Sequence, residues 1–298
     1  MVRQYKIHTN LDGTNDKVWD VTNGKVRFYQ PSNLGLQSTN NIRQSNGIGV
    51  MGTRSITQPQ IEFKLETFGE SLEENYQLMK DFVNDIISKK FVTLEYQTEI
   101  FQVYADLALA DVTKTEGYGK NGTFSEKITF DIITKWYTYE NLTFDKIQNG
   151  KVIAGKSKIY GGTAPGSYKY VEGISYTYYG ETNIERLSRW DIKDEIFSFM
   201  GMLYPQLPKT PAGVRFLDDI GNEYTAIVFK TEQVQNYILI NTDVNDEIYQ
   251  GWNGTTPLNL FPVMDFERYR TRIIKKGQME LINLSKAELK IKRKADFV

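Results

Sequence analysis

A mainly β fold in two domains is predicted by three properties of this chain. At 298 residues with 40% hydrophobic and 13% aromatic content it has material for two packed cores. Its 19 Tyr and 16 Phe fall in short segments rich in Val, Ile and Thr, residues that fit a pleated, half-buried surface. Those segments alternate or run apolar over strand-like lengths and are bounded by Gly, Asn or charged turn residues.

In the N-terminal half the strand signals are Lys25–Phe28, Gln60–Leu65, Phe91–Tyr96, Phe101–Ala108 and Phe124–Ile133, read as one sheet system. Between the first two, residues Asn33–Thr53 are rich in Asn, Ser and Gly, which predicts a long mobile contact loop with Gly47–Gly52 as a flexible turn. One helix stands out. Ser71 followed by Glu74 is a capping-box pattern, and Leu72, Tyr76, Met79, Val83 and Ile86 recur at helical spacing, predicting a helix that covers the sheet with that stripe.

The texture changes after Trp136–Tyr139. Residues Asn149–Gly180 are Gly-rich and carry Tyr160, Tyr168, Tyr170, Tyr176, Tyr178 and Tyr179. Tyr offers large contact area at low entropic cost and tolerates partial solvation, so this segment reads either as a partner interface or as ordinary twisted strands. Asp191–Met200 is expected to start a short helix that the prolines from Pro205 to Pro211 break. Gly213–Val228 reads as two strands around the turn Asp218–Asn222, Tyr237–Ile240 as a further strand, and Gly277–Leu284 and Ala287–Lys292 as the last two. The basic end Lys292–Lys294 is expected to be a solvated tail.

Function classes are excluded by absence. With no Cys and one His, zinc centres, thiol nucleophiles and Ser-His-Asp triads lack their parts. Lys and Arg number 36 against 37 Asp and Glu, which leaves no electrostatic footprint for nucleic acid. No stretch approaches a bilayer span and the first residues lack an apolar signal core, so a soluble, cytosol-made protein is expected. Carboxylates remain: Asp218 with Asp219, Asp243 with Asp246 and Glu247, or Glu172 with Glu181 could be posed as a glycosidase pair, but acidic pairs in turns usually bind backbone N–H groups. Asp12–Asp16 and Asp243–Glu247 gather oxygen ligands without matching an EF-hand loop, so calcium is possible but has no specific motif, and no other cofactor is expected. His8 is expected to be a surface or hydrogen-bonded residue without a role.

The segments VRQYKIHTNLDG, PQIEFKLETFGESLEENYQLMKDFVNDI and VFKTEQVQNYILINTDVND carry a resemblance over essentially the whole length: the chain resembles the distal tail proteins of lactococcal siphophages, the hubs of tail-tip baseplates. The resemblance implies an N-terminal split-barrel-like β domain with one helix over residues 1–135. It also implies a C-terminal galectin-like β-sandwich over 136–298, with an arm and hand extension inserted at about 145–195. It implies no enzyme but a hexameric ring in the virion, joining the tail tube protein to a trimeric tail-associated protein. The arm would hold receptor-binding protein trimers through Tyr160, Tyr168, Tyr170, Tyr176, Tyr178 and Tyr179. A closed ring needs two complementary faces per subunit, for which the loop residues Asn33, Asn40, Arg43 and Met51 are candidates. The alternative is a free carbohydrate-binding β-sandwich, although true galectins use a histidine that this second half lacks, and Trp252 is expected to pack in the core or a turn.

Overall fold

The computed structural model describes residues 3–13, 15–35, 37–57, 60–114, 119, 122–144, 147–148, 151–152, 189–193, 195–207, 209–233 and 235–295. They form two compact units, Met1–Thr138 with Ala295–Val298, and Tyr139–Lys294.

The first unit contains β1 (Gln4–His8), β2 (Val18–Asp20), β3 (Val26–Ser32), β4 (Gln37–Ser45), β5 (Ile48–Thr57), β6 (Ile61–Thr67), α1 (Leu72–Ile87), β7 (Val92–Gln97), β8 (Gln102–Thr113) and β9 (Ser125–Ile132). The strands order as β2-β1-β7-β8-β9-β6-β3, antiparallel wherever they pair. The sheet curls without closing: β2 and β3 form no ladder, and only the amide of Phe28 reaches across, to the Val21 carbonyl at 2.7 Å. Alternation in β6 puts Ile61, Phe63 and Leu65 inward, as its period-2 sequence requires. Phe63 stacks on Phe28 at 4.6 Å between ring centres and meets the edge of Tyr5 at 5.5 Å. Replacing the fully buried Phe63 with alanine is expected to cost about 3–5 kcal/mol, measured as a lowered denaturant midpoint.

Helix α1 starts as its sequence predicts, with the Glu74 amide donating to Ser71 Oγ at 3.1 Å. Its inward face, however, is Asn75, Phe82 and Ile86, with Leu78, Met79 and Val83 half-buried beside them, whereas Leu72 and Tyr76 are exposed. The cause is Asn75, which occupies the inward position of the first turn: it accepts from the Gly69 amide at 2.6 Å and donates to the Ser71 carbonyl at 2.9 Å.

The second unit takes in the end of β10 (Tyr137–Phe144), a short hairpin of β11 (Ile147–Gln148) and β12 (Lys151–Val152), and then β13 (Arg189–Ile192), β14 (Ile196–Pro205), β15 (Ala212–Leu217), β16 (Glu223–Phe229), β17 (Tyr237–Asn241), β18 (Ile248–Asn253), β19 (Thr256–Asn259), β20 (Gly277–Ile282) and β21 (Leu284–Lys294). One sheet runs β19-β18-β17-β14-β21 and the other β13-β20-β15-β16. Phe199, Leu203, Ile238, Ile240 and Leu289 from the first share a core with Val214, Phe216, Phe229, Met279 and Leu281 from the second, making a β-sandwich.

Two expectations are corrected here. Asp191–Met200 is no helix: it spans parts of β13 and β14, and β14 is a central strand paired on both sides, with Phe199 and Leu203 buried while Met200, Met202 and Tyr204 are only half-buried. Lys292–Lys294 is no solvated tail but the end of β21, where Lys292 is buried and its Nζ donates to Asp243 Oδ2 at 2.9 Å.

Candidate interaction surfaces

The segment expected to be a mobile loop, Asn33–Thr53, is the greater part of an ordered hairpin, β4 with β5, that forms a two-stranded sheet of its own. Its turn is Asn46–Gly47, both at positive φ (51° and 80°), between the paired residues Ser45 and Ile48. That is a two-residue turn whose twist matches the strands, so the Asn-Gly pair was the overlooked signal for the hairpin. The residues after Gly47 are strand, not flexible turn.

Neither face of the hairpin is packed among its described side chains. Ile42, Ile48, Val50 and Met51 are 53%, 70%, 64% and 50% exposed, and every residue of β4 is exposed. Alternation puts Ile48 and Val50 on one face and the cross-strand pair Ile42 and Met51 on the other. Between Gln37 and Thr57 the charged residues are Arg43 and Arg54, with no acid. An isolated two-stranded hairpin is marginal in water, and this one exposes apolar side chains on both faces.

The four sequence-predicted loop residues fall unequally on this element. Asn33 sits at its root with φ 61° and donates through Nδ2 to the Gln60 carbonyl at 3.1 Å. Asn40 accepts from Arg54 Nε at 2.9 Å, Arg43 pairs with Val50, and Met51 pairs with Ile42. The structure brings Asn40, Arg43 and Met51 onto one hairpin and gives Asn33 a structural bond. Tyr160, Tyr168, Tyr170, Tyr176, Tyr178 and Tyr179, like Glu172 and Glu181, lie outside the described residues.

On the outer face of the sandwich, Tyr204, Tyr237 and Trp252 form a ladder across β14, β17 and β18. Tyr204 and Tyr237 are 6.3 Å apart, Tyr237 and Trp252 stack at 5.8 Å, and Lys286 Nζ lies 5.3 Å over Tyr204. Trp252 is thus half-buried against a strand neighbour rather than in the core.

The acidic candidates are engaged elsewhere. Glu95 is 4% exposed and accepts from Gln102 Nε2 at 2.9 Å and Lys6 Nζ at 3.1 Å, and it shares a hydrogen bond with His8 Nε2 at 2.8 Å, while His8 Nδ1 meets Asp16 Oδ2 at 2.6 Å. Burial pushes the Glu95 carboxyl up, but the bonds from His8, Lys6 and Gln102 outweigh it and hold the group below its ordinary range. Asp243 faces Lys292, and Glu247 Oε1 faces Arg272 Nη1 at 2.9 Å. Asp243 and Glu247 are thus committed to protein cations. Among the described residues no three His or acidic groups gather for a metal. Asp218 accepts from the amides of Asn222 at 2.8 Å and Ile220 at 3.0 Å, which lowers its pKa, the direction opposite to that of a glycosidase acid.

Among the described residues no helix is long and apolar enough to cross a membrane. Residues 4–133 match the family described as "Distal tail protein, N-terminal domain", and residues 135–298 match "Dit, C-terminal domain". The distal tail proteins of Lactococcus phage p2 and Lactococcus phage SK1 are each 93% identical to this chain over 298 residues, covering 100% of both chains. Solved chains of the phage P2 baseplate in its activated conformation, one with Ca and one with Sr, are also 93% identical over the whole of each chain, with TM-scores of 0.79 and 0.80. The crystal structure of SPP1 Dit, named a paradigm of hub adsorption apparatus in phages infecting Gram-positive hosts, covers 98% of each chain at 9% identity and TM-score 0.53, a likeness of fold alone.

Proposed function

The chain belongs to the distal tail protein family, and from that premise we propose that it is the hub of a siphophage tail baseplate, made in the host cytoplasm and carried in the virion. The observation that carries this reading is identity of 93% along the full length, both units included, with distal tail proteins, one of which comes from the phage whose baseplate has been solved. Its role is structural, and we assign it no catalysis.

In this reading residues 1–135 form a hexameric ring. Its subunits join through the β4–β5 hairpin, with Asn40, Arg43 and Met51 in the contact and Asn33 holding the root. The exposed Ile42, Ile48, Val50 and Met51 supply apolar area, and a hairpin with two arginines and no acid suits an acidic face on the neighbouring subunit. The tail tube protein docks on one side of the ring and a tail-associated protein trimer on the other. Residues 136–298 carry the galectin-like sandwich, and an arm at about 145–195 holds receptor-binding protein trimers through Tyr160, Tyr168, Tyr170, Tyr176, Tyr178 and Tyr179. The relatives' baseplate is named in an activated conformation with Ca or Sr. We place any calcium that acts on this assembly outside the described residues of this chain.

Light scattering on the purified chain tests the ring. The expected mass is about 206 kDa, six times 34.4 kDa, with rings in negative-stain images. Val50→Glu on the exposed hairpin is expected to shift that mass toward the monomer while leaving the far-UV circular dichroism spectrum of the folded chain unchanged, since Val50 is 64% exposed in the single chain. A chain that stays monomeric with the tail tube and tail-associated proteins added would sink the reading.

A further inference from the structure

Asn-Gly occurs three times among the described residues, as Asn23–Gly24, Asn46–Gly47 and Asn253–Gly254. The pair is chemically labile in water, because glycine has no Cβ to block approach and its amide nitrogen can attack the preceding asparagine side chain at Cγ. The attack needs a nitrogen free of other bonds and a backbone that can turn about the asparagine ψ.

The three pairs differ in both respects. At Asn23–Gly24 the Gly24 amide donates to the Asp20 carbonyl at 2.9 Å and the Asn23 amide to Asp20 Oδ1 at 2.9 Å, while Arg27 donates from Nη2 to the Asn23 carbonyl at 3.3 Å and from Nε to the Gly24 carbonyl at 2.8 Å. A Cβ added at Gly24 would come within 2.3 Å of the Asp20 carbonyl oxygen, so that turn is closed. Asn253 ends β18, which is held on both sides by β17 and β19. At Asn46–Gly47 both residues are exposed, nothing among the described residues accepts from the Gly47 amide, and a Cβ built at Gly47 would meet no atom within 4 Å. The β4–β5 hairpin that carries this turn pairs with no further strand among the described residues, and such a hairpin opens locally at low cost.

We propose that Asn46 of the free subunit is a site of spontaneous deamidation. The Gly47 nitrogen forms a bond to Cγ of Asn46 and gives up its proton to hydroxide; the Cγ–Nδ2 bond breaks, and Nδ2 leaves as ammonia with a proton taken from water. Water then opens the five-membered imide at either carbonyl. One opening restores the main chain and leaves an aspartate, the other leaves an isoaspartyl link that runs through the side-chain carbonyl. Either product puts an acid at the tip of a hairpin whose charged residues are Arg43 and Arg54. The isoaspartyl link also lengthens the main chain of the turn, against the two-residue geometry that pairs Ser45 with Ile48. The restriction to the free subunit rests on the ring reading above, in which a neighbour covers the hairpin.

Mass spectrometry of tryptic peptides tests this on the full chain, with the native protein and Val50→Glu held at mildly alkaline pH for days and light scattering recording the mass of each. Trypsin releases Asn46 in the peptide Gln44–Arg54 and Asn23 in Val18–Lys25, neither of which holds another asparagine. In whichever chain scatters as a folded monomer, Gln44–Arg54 is expected to gain about 1 Da roughly tenfold faster than Val18–Lys25, and in urea the two rates are expected to converge. Equal rates in the folded monomer would overturn the proposal, as would a gain in Gln44–Arg54 that appears only in urea. Chains at the ring mass are expected to be protected, and a ring modified as fast as the monomer would overturn the restriction to the free subunit. The ring reading itself fails on the scattering mass, which the peptide masses do not enter.

Discussion

Replacing Lys292 with alanine is expected to destabilise the C-terminal sandwich by about 3–5 kcal/mol, among the largest effects of any single substitution outside the apolar cores. Lys292 is 3% exposed and Asp243 6%, and their 2.9 Å pair is buried between β21 and the turn after β17. Removing the ammonium leaves the Asp243 carboxylate, which also accepts from the Asn245 amide at 3.0 Å, in a site with little water. The size of the loss comes from that stranded charge rather than from the worth of the pair. Lys292→Met combined with Asp243→Leu is therefore expected to recover much of it. Denaturant unfolding of the two variants and their double mutant checks this: a loss under 1 kcal/mol for Lys292→Ala would mean that the basic terminus is solvated after all.

Glu95→Ala is expected to cost a similar ~3–5 kcal/mol in the N-terminal unit, because one carboxylate receives His8, Lys6 and Gln102. Both ring nitrogens of His8 face carboxylate oxygens, and loss of Glu95 leaves one of them without that partner. The pH dependence follows from the lowered pKa of Glu95. Its folded value lies below the ordinary 4.5, so the carboxylate's contribution is fully present above that value and is lost as pH falls through the folded one. Unfolding of the native chain and of Glu95→Gln measured from pH 7 down to pH 3 is expected to show the gap between them closing below about pH 4.5. A gap that stays constant over that range would show that Glu95 is not ionised in its bonds.

Much of the fold was legible in the chain. Lys25–Phe28, Gln60–Leu65, Phe91–Tyr96, Phe101–Ala108 and Phe124–Ile133 correspond to β3, β6, β7, β8 and β9, because period-2 burial is a local property that composition records directly. The turn Asp218–Asn222 was equally plain, since Asp218 bonds the amides of its own turn. The helix cap at Ser71 was also readable, but not the helix face: the inward place of Asn75 depends on Gly69 and Ser71 folding back to meet it.

The candidate surface was less legible. Asn33–Thr53 looks like a loop because strands exposed on both faces show no amphipathic alternation, and the signal that betrays the hairpin is Asn46–Gly47.

By itself the sequence determined the fold class, the strand periodicity, the capped helix, the lack of any thiol, and through its segments the family. These follow from local propensity and from which atoms are available, and neither needs a distant partner. Tertiary structure alone decided that Lys292 is buried, that the lone histidine is a tie between two carboxylates, that Asp243 and Glu247 pair with Lys292 and Arg272, and that the β4–β5 hairpin is exposed. Each of these depends on pairs such as Lys292 with Asp243 and His8 with Glu95, brought together from 49 and 87 residues apart, which no window along the chain contains.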